Sequence, residues 1–303
     1  MRVGVALLNW NGGEFTLPCI RSVLTGSVRP WRVVVVDNGS TDGSPDRIAK
    51  AYPDVRVMRS TTNLGFTGGN NVAIRTLLQD GADLVWILNN DTIVDRECLA
   101  NLIAGFDGGA EIGAVTGKIL FEEPADRIWY GGARWRAWAF SVSHIGYGER
   151  DRGQHDVDHD VSFASGCCIL ASRACLADVG LLDDRYFAYW EDAEWSFRAR
   201  SRGWRLRYAA RATLRHRVSA SLLKNTLAPS GGTASPFAHY LNQRNRLLFA
   251  RQHARRPFQL CTSLLWTGVR TLYLAGGLAV LRRWDKLASL LRGTRDGLRM
   301  SVT

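Results

Sequence analysis

The chain has 303 residues, 46% of them hydrophobic and 22% charged, with a formal net charge of +11. This is enough apolar material for one large core plus an appendage, and it excludes a disordered chain. The charge is uneven, because residues 203 to 303 carry 18 Lys and Arg against only Asp285 and Asp296, so the basic character belongs to the last third and suits an anionic partner.

Apolar runs alternate with amphipathic segments through the first 110 residues. The pattern predicts strands at 3–8, 32–36, 55–59 and 83–88 and helices at 14–25, 44–51, 68–79 and 95–107. Such alternation implies a parallel sheet covered by helices, with ligands outside the carboxyl ends of the strands. Residues 111–172 read as shorter strands and turns rich in Trp and Gly, followed by a helix at 173–179 and a strand at 204–215. The stretch 228–236, Ala-Pro-Ser-Gly-Gly-Thr-Ala-Ser-Pro, reads as a mobile loop, and a helical region follows from about 236 to 298, with Pro236 and Pro257 at expected helix starts. The six cysteines form no Cys-x-x-Cys pair and fit a reduced, cytoplasmic compartment. The first apolar stretch is too short and wrongly flanked for a signal peptide and is expected to be a core strand.

Three acidic clusters stand out. Asp37-Asn38-Gly39-Ser40-Thr41-Asp42 ends a four-Val strand, Asn89-Asn90-Asp91-Thr92 ends another apolar run, and Glu191-Asp192 lies among Phe187, Tyr189, Trp190 and Trp195. Carboxylates in apolar surroundings usually have a chemical task. Ser40 to Asp42 are accounted for by a turn and a helix cap, whereas Asp37 at the sheet edge is not. Asn63-Leu64-Gly65-Phe66 opens a Gly-rich turn before a helix that contains Asn71, and such turns offer free backbone N–H groups. Glu194 sits four residues before Arg198, the spacing of a helix-surface ion pair. The His155 to Asp160 alternation of His and Asp reads as a half-exposed edge strand in preference to a metal cluster.

The order of these clusters, with His216 after the third, resembles family 2 glycosyltransferases, inverting enzymes of the GT-A fold, over roughly residues 1–250. The resemblance implies an α/β fold with a mostly parallel, Rossmann-like sheet and a C-terminal helical extension. It divides the chain into a catalytic region 1–235, with a nucleotide-sugar half to about 110 and an acceptor half beyond, and a basic helical region 236–303. Asn9, Asp37, Asn38, Asn63, Gly65, Asn71, Asn89 and Asn90 are expected to contact the donor, Asp37 by accepting from a pyrimidine base. Asn89-Asn90-Asp91 stands where the family carries Asp-x-Asp, so Asp91 is the expected ligand of Mg2+ or Mn2+, one anionic ligand fewer than usual. His216 matches a position that completes that site in some members; a purely structural His is the alternative. Asp192 is the expected base that deprotonates the acceptor hydroxyl, with Glu191 orienting the acceptor. Gln243-Arg244-Asn245-Arg246 resembles both the Arg-Asn element of rhamnosyltransferase-like members and an incomplete Gln-x-x-Arg-Trp of processive synthases, with Leu247 in place of Trp. Arg244 and Arg246 are candidates to clamp a diphosphate of donor or lipid carrier.

The expected activity is transfer of a sugar from a nucleoside-diphosphate sugar, dTDP-rhamnose being one candidate, to a glycan or a lipid-diphosphate-linked acceptor in bacterial cell-surface polysaccharide synthesis. A sugar-nucleotidyltransferase would need a basic Gly-rich loop after the first strand, and Asn9 to Gly13 contain no Lys or Arg. A basic binding module for nucleic acid would leave the acidic clusters without purpose, and no nucleic-acid partner is expected. The run from Phe258 to Leu281 is interrupted by Arg270 and is too short beyond it to span a bilayer. With Arg251, Arg255 and Arg256 before it and further cations after it, the run suits peripheral attachment to the anionic inner face of the cytoplasmic membrane; a buried helical pair or a homodimer contact is the alternative.

Overall fold

The computed structural model describes residues 1–136, 138–217, 234–254 and 256–302. Residues 228–233 of the expected loop, and Arg255, lie outside them. The described chain forms two compact units, the first being Met1–Arg134, His144–Phe187 and Glu191–Val218, the second Trp135–Ser143, Ala188–Trp190 and the described part of 219–303.

The first unit opens with β1 (Val3–Asn9), α1 (Gly13–Leu24), β2 (Arg32–Asp37), α2 (Ser44–Ala51), β3 (Arg56–Arg59), α3 (Gly65–Gln79) and β4 (Leu84–Leu88). These four strands are parallel in the order β3-β2-β1-β4, with Asn9 beside Asp37 and Leu7 beside Leu88. Strands covered on both faces need continuous apolar sequence, and Val33 to Val36 and Leu84 to Leu88 are all buried. Their polar ends therefore meet at one edge.

The chain continues through β5 (Thr92–Val94), α4 (Cys98–Ala104), a 3-10 turn (Gly105–Gly108), β6 (Ile112–Phe121), β7 (Ile128–Tyr130), β8 (Ala133–Arg136), β9 (Ser141–His144), β10 (His159–Asp160) and β11 (Cys168–Ser172). α5 (Arg173–Val179), a 3-10 turn (Asp184–Tyr186), α6 (Glu191–Ser201) and β12 (Arg205–His216) complete the unit. The sheet runs β10-β12-β6-β11-β4-β1-β2-β3, with β11 antiparallel between β4 and β6 and the short β10 antiparallel on the edge. The helix expected at 95–107 is shorter. Residues 92–94 pair with β12 instead, and the Asp95 carboxylate accepts from Thr213 and Arg215 at 2.6 Å each, which ties the segment to that strand before a helix can start.

The second unit carries α7 (Pro236–His253), α8 (Pro257–Val280) and α9 (Trp284–Arg299). Pro at the first position and the Ser235 side chain, accepting from Ala238 N–H at 3.1 Å, start α7. A Cβ at Gly293 would lie 2.4 Å from Tyr240 O and one at Gly297 2.7 Å from Arg244 O, so only glycines spaced by four allow α9 this close to α7.

Helix α8 is amphipathic in the inverted sense. It buries Ser263 and Thr267, with Leu274 and Leu278 only in its second half, and exposes Phe258 (74%), Leu265 (70%), Leu272 (75%), Tyr273 (63%) and Val280 (83%). Among the described residues no helix is long and apolar enough to cross a membrane.

Candidate active site

The end of β2 is organised by Asn9. Its fully buried amide donates to Asp37 Oδ1 at 2.7 Å and to Ser44 Oγ at 2.7 Å, while its Oδ1 accepts from Thr16 at 2.7 Å. Ser40 adds its hydroxyl to Asp37 Oδ1 at 2.6 Å and its N–H to Oδ2 at 3.0 Å. The Asn9 side chain is thus spent on protein partners and fixes the Asp37 carboxylate, a buried group at 2% exposure.

Asn38 donates to Gly65 O at 2.9 Å and to Asn63 Oδ1 at 3.1 Å, and Asn63 Oδ1 accepts from Gly65 N–H at 2.8 Å. Gly65 has φ +74°, and a Cβ there would lie 2.5 Å from the Phe187 carbonyl oxygen. Both the left-handed backbone and the close approach demand glycine. Gly65→Ala is expected to destabilise the fold by about 1–3 kcal/mol or more, read as a lower urea midpoint with unchanged slope. Asn71 reaches the acceptor side: its amide donates to Leu182 O and Asp184 Oδ1 at 2.8 Å each, and its Oδ1 accepts from Leu182 N–H at 3.1 Å.

After β4 the chain turns through Asn89, Asn90 and Asp91. Asn89 N–H donates to Cys167 O at 3.1 Å and the Asn90 amide donates to Thr16 at 2.8 Å. Pairing of β5 with the end of β12 sets His216 opposite Thr92 and brings its Nε2 to 3.1 Å from Asp91 Oδ1. Burial raises the Asp91 carboxyl, but the charge and hydrogen bond of His216, with its own backbone and Arg217, outweigh that and leave it below its ordinary value. Trp129 sets its ring edge-on against His216 at 4.8 Å.

Asp91 and His216 are the residues that could hold a divalent cation. Among the described residues Asp91 Oδ1 has no polar neighbour but His216 Nε2, and a carboxylate oxygen facing an imidazole nitrogen is an acceptable pair for Mn2+ or Mg2+. No group of three His, Cys, Asp or Glu among the described residues could hold a metal ion. The residues fit a cation whose remaining ligands are substrate and water oxygens.

Glu191 and Asp192 open α6. Asp192 Oδ2 accepts from Gly166 N–H and Oδ1 from Ala193 N–H, at 2.8 Å each, so the carboxylate is oriented by two backbone donors. Glu191 Oε2 is buried with no partner. Burial, then the neighbouring Asp192, pushes the Glu191 carboxyl well above its ordinary value, and burial raises Asp192 to about 6. Burial thus favours the neutral form more strongly at Glu191, and Asp192 is the readier of the two to carry the negative charge. The turn before β11 joins the two acidic sites, since Gly166 N–H holds Asp192 while Cys167 O holds Asn89. Burial, then the charges of Asp91, Cys168, Cys19 and Asp192, push the Cys167 thiol up.

The other expectations divide. Glu194 pairs with Arg198 at 2.8 Å, but Glu194 is fully buried and Arg198 half-buried, so this is not a surface pair; Arg198 also donates to the carbonyls of Val179 and Leu181, clasping α6 to the end of α5 and the loop after it. Asp156 and Asp151 accept from Lys118, and Asp160 pairs with Arg205. Arg244 and Arg246 belong to α7 in the second unit, where Asn245 donates to the carbonyls of Ala188 (2.8 Å) and Tyr189 (2.7 Å). Tyr189 and Trp190 have φ of 68° and 74°, outliers for bulky residues, immediately before Glu191. Sequence reasoning missed Gly166, whose contribution is a backbone N–H, and Trp129; the one available signal was Ser165-Gly166 standing directly before an apolar strand.

The family model described as Glycosyl transferase family 2 matches residues 5–180. The chain is 25% identical over 239 residues to the N-acetylglucosaminyl-diphospho-decaprenol L-rhamnosyltransferase of Mycobacterium tuberculosis, covering 72% of this chain and 76% of that one. It is 27% identical over 175 residues to the low-salt glycan biosynthesis hexosyltransferase Agl10 of Haloferax volcanii, covering 55% and 52%. Among solved structures, the mannosyltransferase PcManGT from Pyrobaculum calidifontis in complex with GDP-Man and Mn2+ superposes with a TM-score of 0.57 at 17% identity, over 98% of this chain and 87% of that one. GalNAc-T7 with UDP, GalNAc and Mn2+ gives 0.58 at 15%, over 85% of this chain, which spans about half of the GalNAc-T7 chain at 52%. These two likenesses concern the fold, the mostly parallel GT-A sheet with its flanking helices. With the family match covering more than half of the sequence, from β1 to the end of α5 and through both upstream acidic clusters, the chain belongs to glycosyl transferase family 2.

Proposed function

We propose that the protein is an inverting, metal-assisted glycosyltransferase that moves a sugar, rhamnose from dTDP-rhamnose being the leading candidate, onto a hydroxyl of a lipid-diphosphate-linked glycan. The observation that carries this reading is the turn Gly166-Cys167, which orients Asp192 with one peptide group and anchors Asn89 beside Asp91 with the next. An ionised carboxylate and an anion-handling site then share one mouth at the end of the sheet. Asp37 accepts from the nucleobase, and Asn38, Asn63 and the N–H groups opening α3 hold the nucleoside. Asp91 and His216 would hold a divalent cation, which would supply positive charge to balance the departing diphosphate. Asp192 takes the proton from the acceptor hydroxyl as that oxygen attacks the anomeric carbon from the face opposite the diphosphate, in one displacement. Glu191, protonated, donates to an acceptor oxygen and keeps the second negative charge out of the pocket. The rhamnosyltransferase relative from Mycobacterium tuberculosis supports both the sugar and the acceptor class. Mass spectrometry of products from a panel of nucleotide sugars with a polyprenyl-diphosphate-linked amino sugar tests it; dTDP-rhamnose is expected to be consumed, and turnover of another donor alone would reassign the sugar.

Attachment to an anionic membrane surface belongs to the same reading. Polar residues inside and apolar residues outside are what α8 needs in an apolar medium, and Arg256, Arg282 and Arg283 flank it. The chain is expected to co-sediment with anionic vesicles and to be released as salt rises. Absence of binding at low salt, with a concentration-dependent dimer by light scattering, would assign the face to a second copy instead.

A further inference from the structure

Helices α7 and α8 of the second unit enclose a polar cluster that the transfer step does not use. Arg246 on α7 is 6% exposed; its Nε donates to Thr267 on α8 at 3.0 Å, its guanidinium lies 5.4 Å from the Trp190 ring, and its Nη2 has no acceptor. Gln243, one turn earlier on α7, keeps an unpartnered Oε1, and Ser263, one turn before Thr267 on α8, an unpartnered Oγ, both buried. Arg270 follows Thr267 by three residues and so shares its face. Burial and Arg270 lower Arg246 to about 10, and burial lowers Arg270. Among the described residues neither arginine pairs with a carboxylate.

A buried Arg246 close to a part-buried Arg270, with no anion between them, opposes folding, and a chain of marginal stability keeps such an arrangement where a ligand compensates it. Guanidinium groups with a hydroxyl donor beside them match the oxygens of a phosphate. We infer that Arg246 and Arg270, with Ser263, form a phosphate-binding site that takes the diphosphate of a polyprenyl-linked acceptor, Gln243 being held aside by its own bond to Thr271. This rests on the lipid-linked acceptor proposed above. The lipid is favoured over the donor because Arg270 shares α8 with the exposed apolar stripe, so one helix offers a phosphate site on one face and a surface for a hydrocarbon chain on the other. The groups assigned to the nucleotide, Asp37, Asn38 and Asp91, all belong to the first unit.

The test uses the full chain and Arg270→Met, Arg270→Lys and Arg246→Gln, with three probes: polyprenyl diphosphate in zwitterionic vesicles, inorganic diphosphate, and dTDP. Arg270→Met is expected to weaken binding of the lipid roughly ten- to a hundredfold, the worth of a charge-assisted hydrogen bond, with partial rescue by Lys. Its dTDP affinity stays that of the parent and its melting temperature is unchanged or higher, because an unpaired, part-buried charge is gone. Wild-type lipid affinity in Arg270→Met and Arg246→Gln, or a lowered melting temperature in both, overturns the site. An equal loss for dTDP also overturns it, since the groups would then serve the donor. Arg270-dependent binding of inorganic diphosphate but not of the lipid overturns the lipid occupant. None of these results depends on turnover, so failure of the glycosyltransferase reading would appear separately, as an inactive parent protein.

Discussion

Asp192→Asn will lower the transfer rate by roughly 10²-fold or more while leaving donor affinity unchanged. The amide has the size and shape of the carboxylate and keeps one acceptor for the backbone N–H groups of Gly166 and Ala193, but it cannot take a proton. Loss in kcat with donor affinity intact is the signature of a group needed only as the acceptor is activated. The pH profile checks the same assignment. A base raised to about 6 is ionised above that pH and protonated below it, so kcat/KM rises with pH through about 6 and levels off beyond. Glu191→Gln, which places a neutral amide there, is expected to retain most of the activity with the inflection still near 6, because burial and not Glu191 raises Asp192. Near-normal turnover by Asp192→Asn would reassign the base.

The second large effect concerns the cation. Asp91→Ala removes the anionic member of the Asp91–His216 pair and is expected to reduce donor affinity and turnover together. His216→Ala leaves the Asp91 carboxylate in place and costs less. Excess chelator should abolish transfer and Mn2+ or Mg2+ restore it, since no Lys or Arg stands among Asn89 to Asp91 to balance a departing diphosphate. Calorimetry of nucleoside diphosphate binding with and without Mn2+ separates this from misfolding; full transfer in chelator would remove the metal role.

The parallel half of the fold was legible because each buried strand is a continuous apolar run and each ends in polar residues, so β1 to β4 and the gathering of Asn9, Asp37 and Asn89 followed from alternation alone. The antiparallel insertion of β11 was not, since a short apolar run does not state its direction or its neighbours. Gly166 escaped because the donor it supplies is a peptide N–H that any residue carries. The Glu194–Arg198 spacing correctly predicted a pair on one helix face, yet spacing does not say whether that face looks to water or to the core. Helix α8 shows the same limit: Phe258 to Leu281 reads as an interfacial run with a buried helical pair as the alternative, and composition alone does not say that Phe258, Leu265, Leu272 and Tyr273 are the apolar residues left exposed. Asp95, at the start of the helix expected over 95–107, serves a strand pairing that depends on Thr213 and Arg215, more than a hundred residues away.

The central claim, a single displacement driven by Asp192 at the end of the sheet, is tested most directly by the anomeric configuration of the product, read by NMR of the newly formed glycoside. The account predicts a configuration opposite to that of the donor. Retention of the donor's configuration would contradict it, because retention requires a second displacement or front-face attack that a base placed opposite the leaving group does not perform.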